Sequence, residues 1–327
     1  MHRTLTARHD RFVLKHPFRI ARGVKTAADV ITVEIASGTA TGRGEGVPYP
    51  RYGESIEGAL AQVELARSAI EAGIDRAALQ ALLPPGAARN AVDCALWDLE
   101  AREGGIGIAT RLGEPPLGAI RSALTIGIDT PAVMAQMAAP LARAPLLKIK
   151  VDASDPAAMI RAVRDVAPGA ALIVDPNESW DEALVRAMAP VLVECRVDVL
   201  EQPVPAGDDG WLAGYDSPVP ICADESVHVV GDLDVVAARY DAVNVKLDKA
   251  GGLTAALELA HATRQYGLKL MSGCMVCSSL GIAPALHIAR IADWADLDGP
   301  LWLLEDRPGG VQDVHGRLFP PIEGFWG

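Results

Sequence analysis

The 327-residue sequence predicts an α/β protein in two parts, an α+β domain followed by a barrel of alternating strands and helices. Three observations predict it. Up to about Pro116 a strand pattern is followed by helical patterns, strands first and helices after. From about Ser122 short apolar runs alternate with Ala-rich helical stretches, one run every ~25 residues. These runs number eight, the count that closes a parallel (β/α)₈-type barrel.

The elements follow in order. Residues 29–36 (DVITVEIA) are rich in β-branched side chains and stop at Ser37-Gly38, so they read as a strand. Helices are expected over about 54–73 and 89–103. In the second, Val92, Ala95, Leu96 and Leu99 recur at helical spacing and Gly104-Gly105 supplies the stop. The eight barrel strands are expected at 122–127, 146–151, 171–175, 197–201, 219–224, 241–246, 268–272 and 293–298, with helical stretches such as 155–166 and 252–265 between most of them. Residues after Gly310 read as a tail returning to the first domain.

Composition narrows the functional classes. Half of the residues are apolar but only 5% aromatic, which suits helices packed on buried strands. Thirty basic against 42 acidic residues leave a formal charge of −12, so no nucleic-acid partner is expected. The five cysteines (Cys94, Cys195, Cys222, Cys274, Cys277) are scattered without a zinc-finger pattern and read as reduced thiols. The opening MHRTLTARHDRFVL has no apolar h-region, and no apolar run is long enough to span a bilayer. A cytoplasmic protein with no membrane partner is expected.

The chemistry gathers at strand ends. The second expected strand ends in Lys148-Ile149-Lys150, the third in Asp175, the fourth in Glu201, the fifth in Asp224-Glu225 and the sixth in Lys246. The eighth carries Asp296-Leu297-Asp298. In a parallel barrel those ends converge on one mouth. A single charge there is an ordinary solvated boundary or helix cap; ionisable groups on six strands call for a common reason. Asp175, Glu201 and Asp224 lie one βα unit apart, so they aim three oxygen donors at one point, a set suited to Mg²⁺ rather than zinc. Lys150 and Lys246 flank them by one unit each, and Lys148 shares the strand face of Lys150. A nearby cation lowers a lysine pKa towards what a general base needs. The alternative for either lysine is a salt bridge to a ligand carboxylate.

KIK at 148–150, DPNESW at 175–180, EQPVP at 201–205, ADES at 223–226 and NVKLDKAGGL at 244–253 resemble the enolase superfamily, in its muconate-lactonising subgroup. The resemblance covers nearly the whole chain. It implies a modified TIM barrel, (β/α)₇β, over 117–310, an N-terminal α+β capping domain over 1–116, and a tail over 311–327 that returns to the cap. It also implies that Asp175, Glu201 and Asp224 bind one Mg²⁺ per subunit and that Lys150 and Lys246 are the acid/base pair acting through an ene-diolate.

DLDGP at 296–300 resembles the Asp-x-Asp motif of dipeptide epimerases, in which the pair holds a free α-ammonium. FRIARG at 18–23, PYPRYGES at 48–55 and GCMVCSSL at 273–280 are similar to the bacterial members of that family that act on L-Ala-D/L-Glu in murein-peptide recycling. The likeness implies a small-molecule dipeptide substrate contacted by Thr125, Lys148, Cys274, Asp296 and Asp298, and it is compatible with a homo-oligomer. Arg22, in the capping loop, is placed either to pair with a substrate carboxylate or as an ordinary surface arginine. Many dipeptide epimerases are acidic where this chain has Cys277, which bears on substrate preference. Cycloisomerase, N-acylamino acid racemase and dehydratase chemistry are the alternatives within the superfamily. A non-catalytic barrel is the alternative outside it.

Overall fold

The stop expected at Ser37-Gly38 is a hairpin: Gly38 takes φ 57° and the chain returns with Ser37 paired to Ala40. In the computed structural model, which describes residues 3–327, the strand expected over 29–36 is the inner part of β2 (Gly23–Ser37). It is flanked antiparallel by β1 (Arg3–Ile20) and β3 (Ala40–Gly46). Neither flanking strand was expected from the sequence. β1 is mostly exposed and charged, which masks its alternation, and β3 reads ATGRGEG, a composition typical of a turn.

The glycines of β3 have a packing reason. A Cβ on Gly42, Gly44 or Gly46 would lie 2.1 Å from the carbonyl oxygens of Ala95, Ala91 and Ala87 respectively. These alanines recur every four residues along α3 (Ala87–Gly104), so a bare strand and a bare helix face meet at backbone distance. α1 (Ile56–Glu71), capped by Ser55 Oγ accepting from Gly58 N, and α2 (Arg76–Leu82), capped by Asp75, complete the domain. One turn, α4 (Ile108–Arg111), and a short β4 (Ile120–Arg121) lead into the barrel.

The barrel strands are β5 (Leu124–Ile126), β6 (Leu146–Lys150), β7 (Ala171–Asp175), β8 (Val199–Glu201), β9 (Ile221–Ala223), β10 (Ala242–Val245), β11 (Lys269–Gly273) and β12 (Trp294–Asp296), paired in parallel and in chain order. The remaining gap, between β12 and β5, is bridged by Ala123 N donating to Ala295 O at 2.8 Å and Leu297 N donating to Ser122 Oγ at 2.9 Å. The helices α5 (Pro131–Ala138), α6 (Pro156–Val166), α7 (Glu182–Glu194), α8 (Leu233–Val236), α9 (Leu247–Ala250), α10 (Leu253–Gln265) and α11 (Ser279–Ala289) do not alternate evenly with the strands. Between β8 and β9 there is only a 3₁₀ turn at Gly210–Gly214, since Gly207, Gly210, Pro218 and Pro220 break any helical run. After β12 there is likewise only a 3₁₀ turn, Gly299–Trp302. The eighth strand ends at Asp296, so Asp298 stands in the following turn and not, as expected, on the strand.

The tail forms an antiparallel pair, β13 (Gln312–Asp313) and β14 (Arg317–Phe319), of which β14 also pairs with β4, and then crosses to the first domain. There Trp326 Nε1 donates to Arg43 O at 3.0 Å and Gly327 N to Asp98 Oδ1 at 2.8 Å. α3 is pinned to the barrel from the other side. The buried Arg89 donates to Gly251 O and Ala250 O, and Asp93 caps α10 by accepting from Thr254 N. The Gly251-Gly252 turn is thus filled by protein. No helix among the described residues is long and apolar enough to cross a membrane.

The barrel interior shows how the fold positions a site. Ala123, Leu146, Ile173, Val199, Cys222, Ala242, Met271 and Trp294, one from each strand or its entry, form a dry plug at the base. Strand side chains repeat every two residues. Two residues further on, the same inward face presents Thr125, Lys148, Asp175, Glu201, Asp224, Asn244, Gly273 and Asp296. An apolar layer therefore carries a polar ring directly above it.

Candidate active site

Within that ring every charge has a partner of opposite sign. Lys148, 1% exposed, is centred among carboxylates: its Nζ lies 3.0 Å from Asp175 Oδ2, 2.7 Å from Glu201 Oε2 and 2.7 Å from Asp296 Oδ2. Burial works against its charge, but Asp296, Glu201 and Asp175 together outweigh burial and hold its pKa well above the usual lysine value. Lys150 Nζ donates to Asp175 Oδ2 at 2.5 Å and Lys246 Nζ to Asp224 Oδ2 at 2.6 Å. Lys246 is likewise held above its usual range, because Asp224 outweighs burial. β6 and β10 are four strands apart in a ring of eight, so Lys150 and Lys246 face each other across the mouth.

The three carboxylates are fully buried. Asp175 is held down at about 2: burial opposes its charge, and the ammonium groups of Lys150 and Lys148 prevail. Asp224 is pushed well below its ordinary value against burial by Lys246, Lys249 and Lys148. Glu201 is raised, burial dominating, with Asp175 and Asp224 repelling its charge. Its Oε1 accepts from Asn244 Nδ2 at 2.8 Å, while Oε2 is buried with no directed hydrogen bond, Lys148 being close but out of line. As placed, the ammonium groups stand among the carboxylates, and among the described residues no three His, Cys, Asp or Glu side chains close around one point. The donor chemistry still fits Mg²⁺. Three acidic side chains from adjacent strands, without His or Cys, include one buried oxygen lacking a directed hydrogen bond.

Asp296 and Asp298 form the far wall. Asp298 Oδ2 accepts from Thr125 N at 2.7 Å and from Trp302 Nε1 at 3.3 Å. Burial, with the Asp296 charge beside it, raises Asp298 to about 7. Asp296 Oδ1 is buried without a hydrogen-bond partner. Thr125, Lys148, Lys150, Asp224, Lys246, Cys274, Asp296 and Asp298 all line one cavity of about 60 Å³, room for a few water molecules. Asp175 and Glu201 lie beneath its floor.

The roof comes from the first domain. The β1–β2 hairpin reaches over the mouth, fixed by Arg19 O accepting from Ile128 N at 3.1 Å and by Phe18 edge-on to Trp302 at 4.6 Å. Phe18, Ile20, Arg22 and Lys25 of the hairpin line the cavity together with Tyr49 and Tyr52. Arg22 donates to Asn177 O, Glu178 Oε2 and Glu225 Oε1 at 3.0, 2.9 and 2.6 Å. Glu178 also takes both Arg51 donors and Ala206 N, so one carboxylate ties two loops of the cap to the barrel.

Every candidate from the sequence thus lies in or directly under one cavity. Sequence reading missed Asn244, Lys249, Glu178, Glu225 and Lys25 as members. Asn244 was within reach, since it precedes Lys246 by two residues on the same strand face. Lys249, which donates to Asp224 Oδ1 at 2.7 Å, follows Lys246 by one helical turn. Glu225 stood beside Asp224 at its strand end without a role assigned to it, and Glu178 and Lys25 gave no local signal.

Comparison with known proteins comes to the same place. Residues 132–321 match the family described as enolase C-terminal domain-like, and residues 2–113 match the mandelate racemase/muconate lactonizing enzyme N-terminal domain. L-Ala-D/L-Glu epimerase of Escherichia coli strain K12 is 44% identical, over 97% of this chain and 99% of that protein. N-acetyl-D-glutamate racemase of a Pseudoalteromonas species is 40% identical, over 91% and 95%. An enolase family member from Agrobacterium tumefaciens with homology to dipeptide epimerases, solved with sodium and L-Ala-L-Glu and with an ordered loop, superposes at TM-score 0.98. It is 46% identical and is matched over 99% of this chain and 100% of that one. A dipeptide epimerase from Enterococcus faecalis V583, solved with Mg and L-Leu-L-Tyr, gives TM-score 0.90 at 29% identity, over 98% of each chain.

Proposed function

The chain belongs to the enolase superfamily, with the mandelate racemase/muconate lactonizing N-terminal domain, and from that premise we propose that it is a Mg²⁺-dependent dipeptide epimerase that inverts the α-carbon of a dipeptide's C-terminal residue. L-Ala-D/L-Glu is the substrate pair, and recycling of murein peptides in the cytoplasm is the setting that goes with it. Asp175, Glu201 and Asp224 hold Mg²⁺, which when bound stabilises the charge that develops on the substrate carboxylate as the α-proton leaves.

Lys150 and Lys246 do the proton work from opposite sides of the mouth. One removes the α-proton and the other returns a proton to the opposite face; the roles exchange for the other epimer. Lys148 keeps Asp175, Glu201 and Asp296 in register by holding all three with one ammonium. Asp296 and Asp298 receive the dipeptide's α-ammonium, Thr125 fixes Asp298 through its backbone N–H, and Cys274 lines the same wall. The hairpin carrying Arg22 excludes water once substrate is in place.

The observation that carries the reading is Asp296 Oδ1, a buried acceptor with no partner, in one cavity with the two lysines. A buried acceptor without a partner is costly, and an ammonium supplies what it lacks. Incubation of L-Ala-L-Glu with the protein and Mg²⁺ in deuterated buffer should add one deuteron at the C-terminal α-carbon and give both epimers. No mass gain with any dipeptide would sink the proposal.

Racemisation of an N-acylated amino acid is the second reading, favoured by the likeness to N-acetyl-D-glutamate racemase. N-acetylglutamate is L-Ala-L-Glu without the ammonium-bearing centre, so it leaves Asp296 and Asp298 unused. The same exchange assay separates the two, and faster turnover of N-acetylglutamate would reverse the order of preference.

A further inference from the structure

Among the described residues five that are not glycine have positive φ, and three of them stand beside the buried carboxylates of the site. Asn177 (φ 48°) and Glu178 (φ 67°) follow Asp175, and Gln202 (φ 32°) follows Glu201. A side chain with a Cβ enters that region at a cost, so its surroundings must hold it there. Gln202 is held on every side. It is fully buried, its backbone N donates to Cys222 O at 2.8 Å, and its O accepts from Glu178 N at 2.9 Å. Its side-chain Oε1 accepts from Asp224 N at 2.9 Å and from Ser226 N at 3.1 Å. The residue after Glu201 thus grips the loop after Asp175 with its backbone and the strand end at Asp224 with its amide.

The direction of that amide is fixed from further out. Gln202 Nε2 donates to Val204 O, Ser226 Oγ and Tyr240 OH at 2.9, 3.0 and 3.0 Å. Both hydroxyls also lie against Asp209 Oδ2, Tyr240 at 2.6 Å and Ser226 at 2.7 Å. Burial opposes the Asp209 charge, but Tyr240, Ser226 and Arg239 keep its carboxyl below the ordinary value. An ionised carboxylate only accepts, so both hydroxyls donate to it and turn their lone pairs towards Nε2. That leaves Oε1 to face Asp224 N.

We propose that Gln202 is the positioning residue of the metal centre: it sets the spacing of the Asp175, Glu201 and Asp224 strand ends, and Asp209, through Tyr240 and Ser226, sets Gln202. This inference rests on the reading above, in which those three carboxylates hold Mg²⁺. Gln202 does not line the cavity, so it acts on the ligands and not on the substrate. Mg²⁺ demands near-octahedral oxygens within a narrow range of distances, so ligand spacing is read as affinity.

The test is calorimetric titration of the full-length protein with Mg²⁺, without substrate, beside thermal unfolding in chelator. Q202G should raise the Mg²⁺ Kd by about 10- to 100-fold, as loss of a group that orients a metal ligand does. Q202A removes the same amide but keeps the Cβ that positive φ disfavours. It should unfold at a lower temperature than Q202G, with a Kd within about twofold of that variant's, because the amide and not the strain sets the ligands. Y240F touches no ligand, yet should raise the Kd by about three- to tenfold, the scale of one hydrogen bond. Q202G/Y240F should bind no more than about twofold more weakly than Q202G, since both changes act through one amide. A Kd near the parental value in Q202G, or losses that simply add in the double variant, overturns the proposal. So does a Kd that follows the unfolding temperature from Q202G to Q202A. Should Q202G not fold, Y240F decides, and a parental Kd there counts against the proposal. Absence of Mg²⁺ binding by the parental protein defeats the metal reading beneath, whereas Mg²⁺ binding indifferent to Gln202 defeats this inference alone.

Discussion

Lys150 and Lys246, in the floor of the site, are each 7% exposed and locked to a buried carboxylate, whereas the Arg22 side chain in the roof keeps 26% of its surface and bonds across loops. The floor is a ring of strand ends above an apolar plug, where any side chain that moves must break a ladder or a buried ion pair. The roof is the tip of a two-stranded hairpin that touches the barrel through a few side chains. The difference teaches a division of labour. On the proposed reading, the groups that need fixed geometry for proton transfer come from the ring, and the groups that enclose the substrate come from the hairpin. The cavity of about 60 Å³ between floor and hairpin has room for a few water molecules.

The sharpest way to break this comparison is to disable the floor as a whole. Removal of Mg²⁺ by chelator, or Asp224→Asn, should abolish both α-proton exchange and epimerisation, a loss of about a thousandfold or more, while the fold by circular dichroism is kept. Full turnover in excess chelator would end the metal assignment.

Next in size is the division between the two lysines. Lys150→Ala or Lys246→Ala should stop epimerisation, since inversion needs both an acid and a base, with losses on the order of 10²–10⁴. The remaining lysine should still exchange the α-proton of one epimer. The two variants should favour opposite epimers, and interconversion at near the parental rate in either would refute the two-base scheme.

A smaller effect is expected at the wall. Asp298→Asn should lower kcat/KM for L-Ala-L-Glu by roughly one to two powers of ten, as a lost hydrogen bond to a charged group does. Asp298 has its carboxyl raised to about 7 by burial and Asp296, so in the free protein it takes a proton as pH falls through that value. The parental kcat/KM should therefore drop on the acid side of pH 7, and Asp298→Asn should remove that limb. The sign for stability is opposite to that of a salt-bridged acid. A carboxyl raised from 3.8 costs stability as pH rises through its folded value, so Asp298→Asn should be relatively more stable above pH 7 than below pH 4.

The smallest effect belongs to the roof. Glu178→Gln loosens Arg22 and Arg51 together, and should raise KM by about fivefold with kcat changed less than about twofold, because surface-side ion pairs contribute little each. The parental KM should also rise with salt, and the variant's should respond less. A fall in kcat as large as that of the lysine variants would show that the roof takes part in the chemistry and erase the distinction.

Much of the floor was legible without coordinates, for a physical reason. Strand side chains alternate every two residues, and parallel strands in chain order aim their C-terminal ends at one place. Asp175, Glu201, Asp224, Lys150 and Lys246 therefore announce a common site through local pattern alone. The same rule could have found Asn244. It misled at Asp298, because β12 stops two residues earlier and the turn, not the strand face, carries that carboxylate to the cavity.

What the sequence determined by itself, then, was the barrel's repeat, the order of its ionisable strand ends and the resemblance those motifs carry. Tertiary structure decided the rest. β1 and β3 lack a local strand signature because the contacts that define them are elsewhere, in the pairing with β2 and, for the β3 glycines, in the backbone of α3. The 3₁₀ turn between β8 and β9 replaces a helix that regular alternation called for. The bond from Arg22 to Glu225 joins residues 203 positions apart. A pairing of that kind depends on which loop the folded hairpin meets, and periodicity, which reports only what a residue's near neighbours do, cannot encode it.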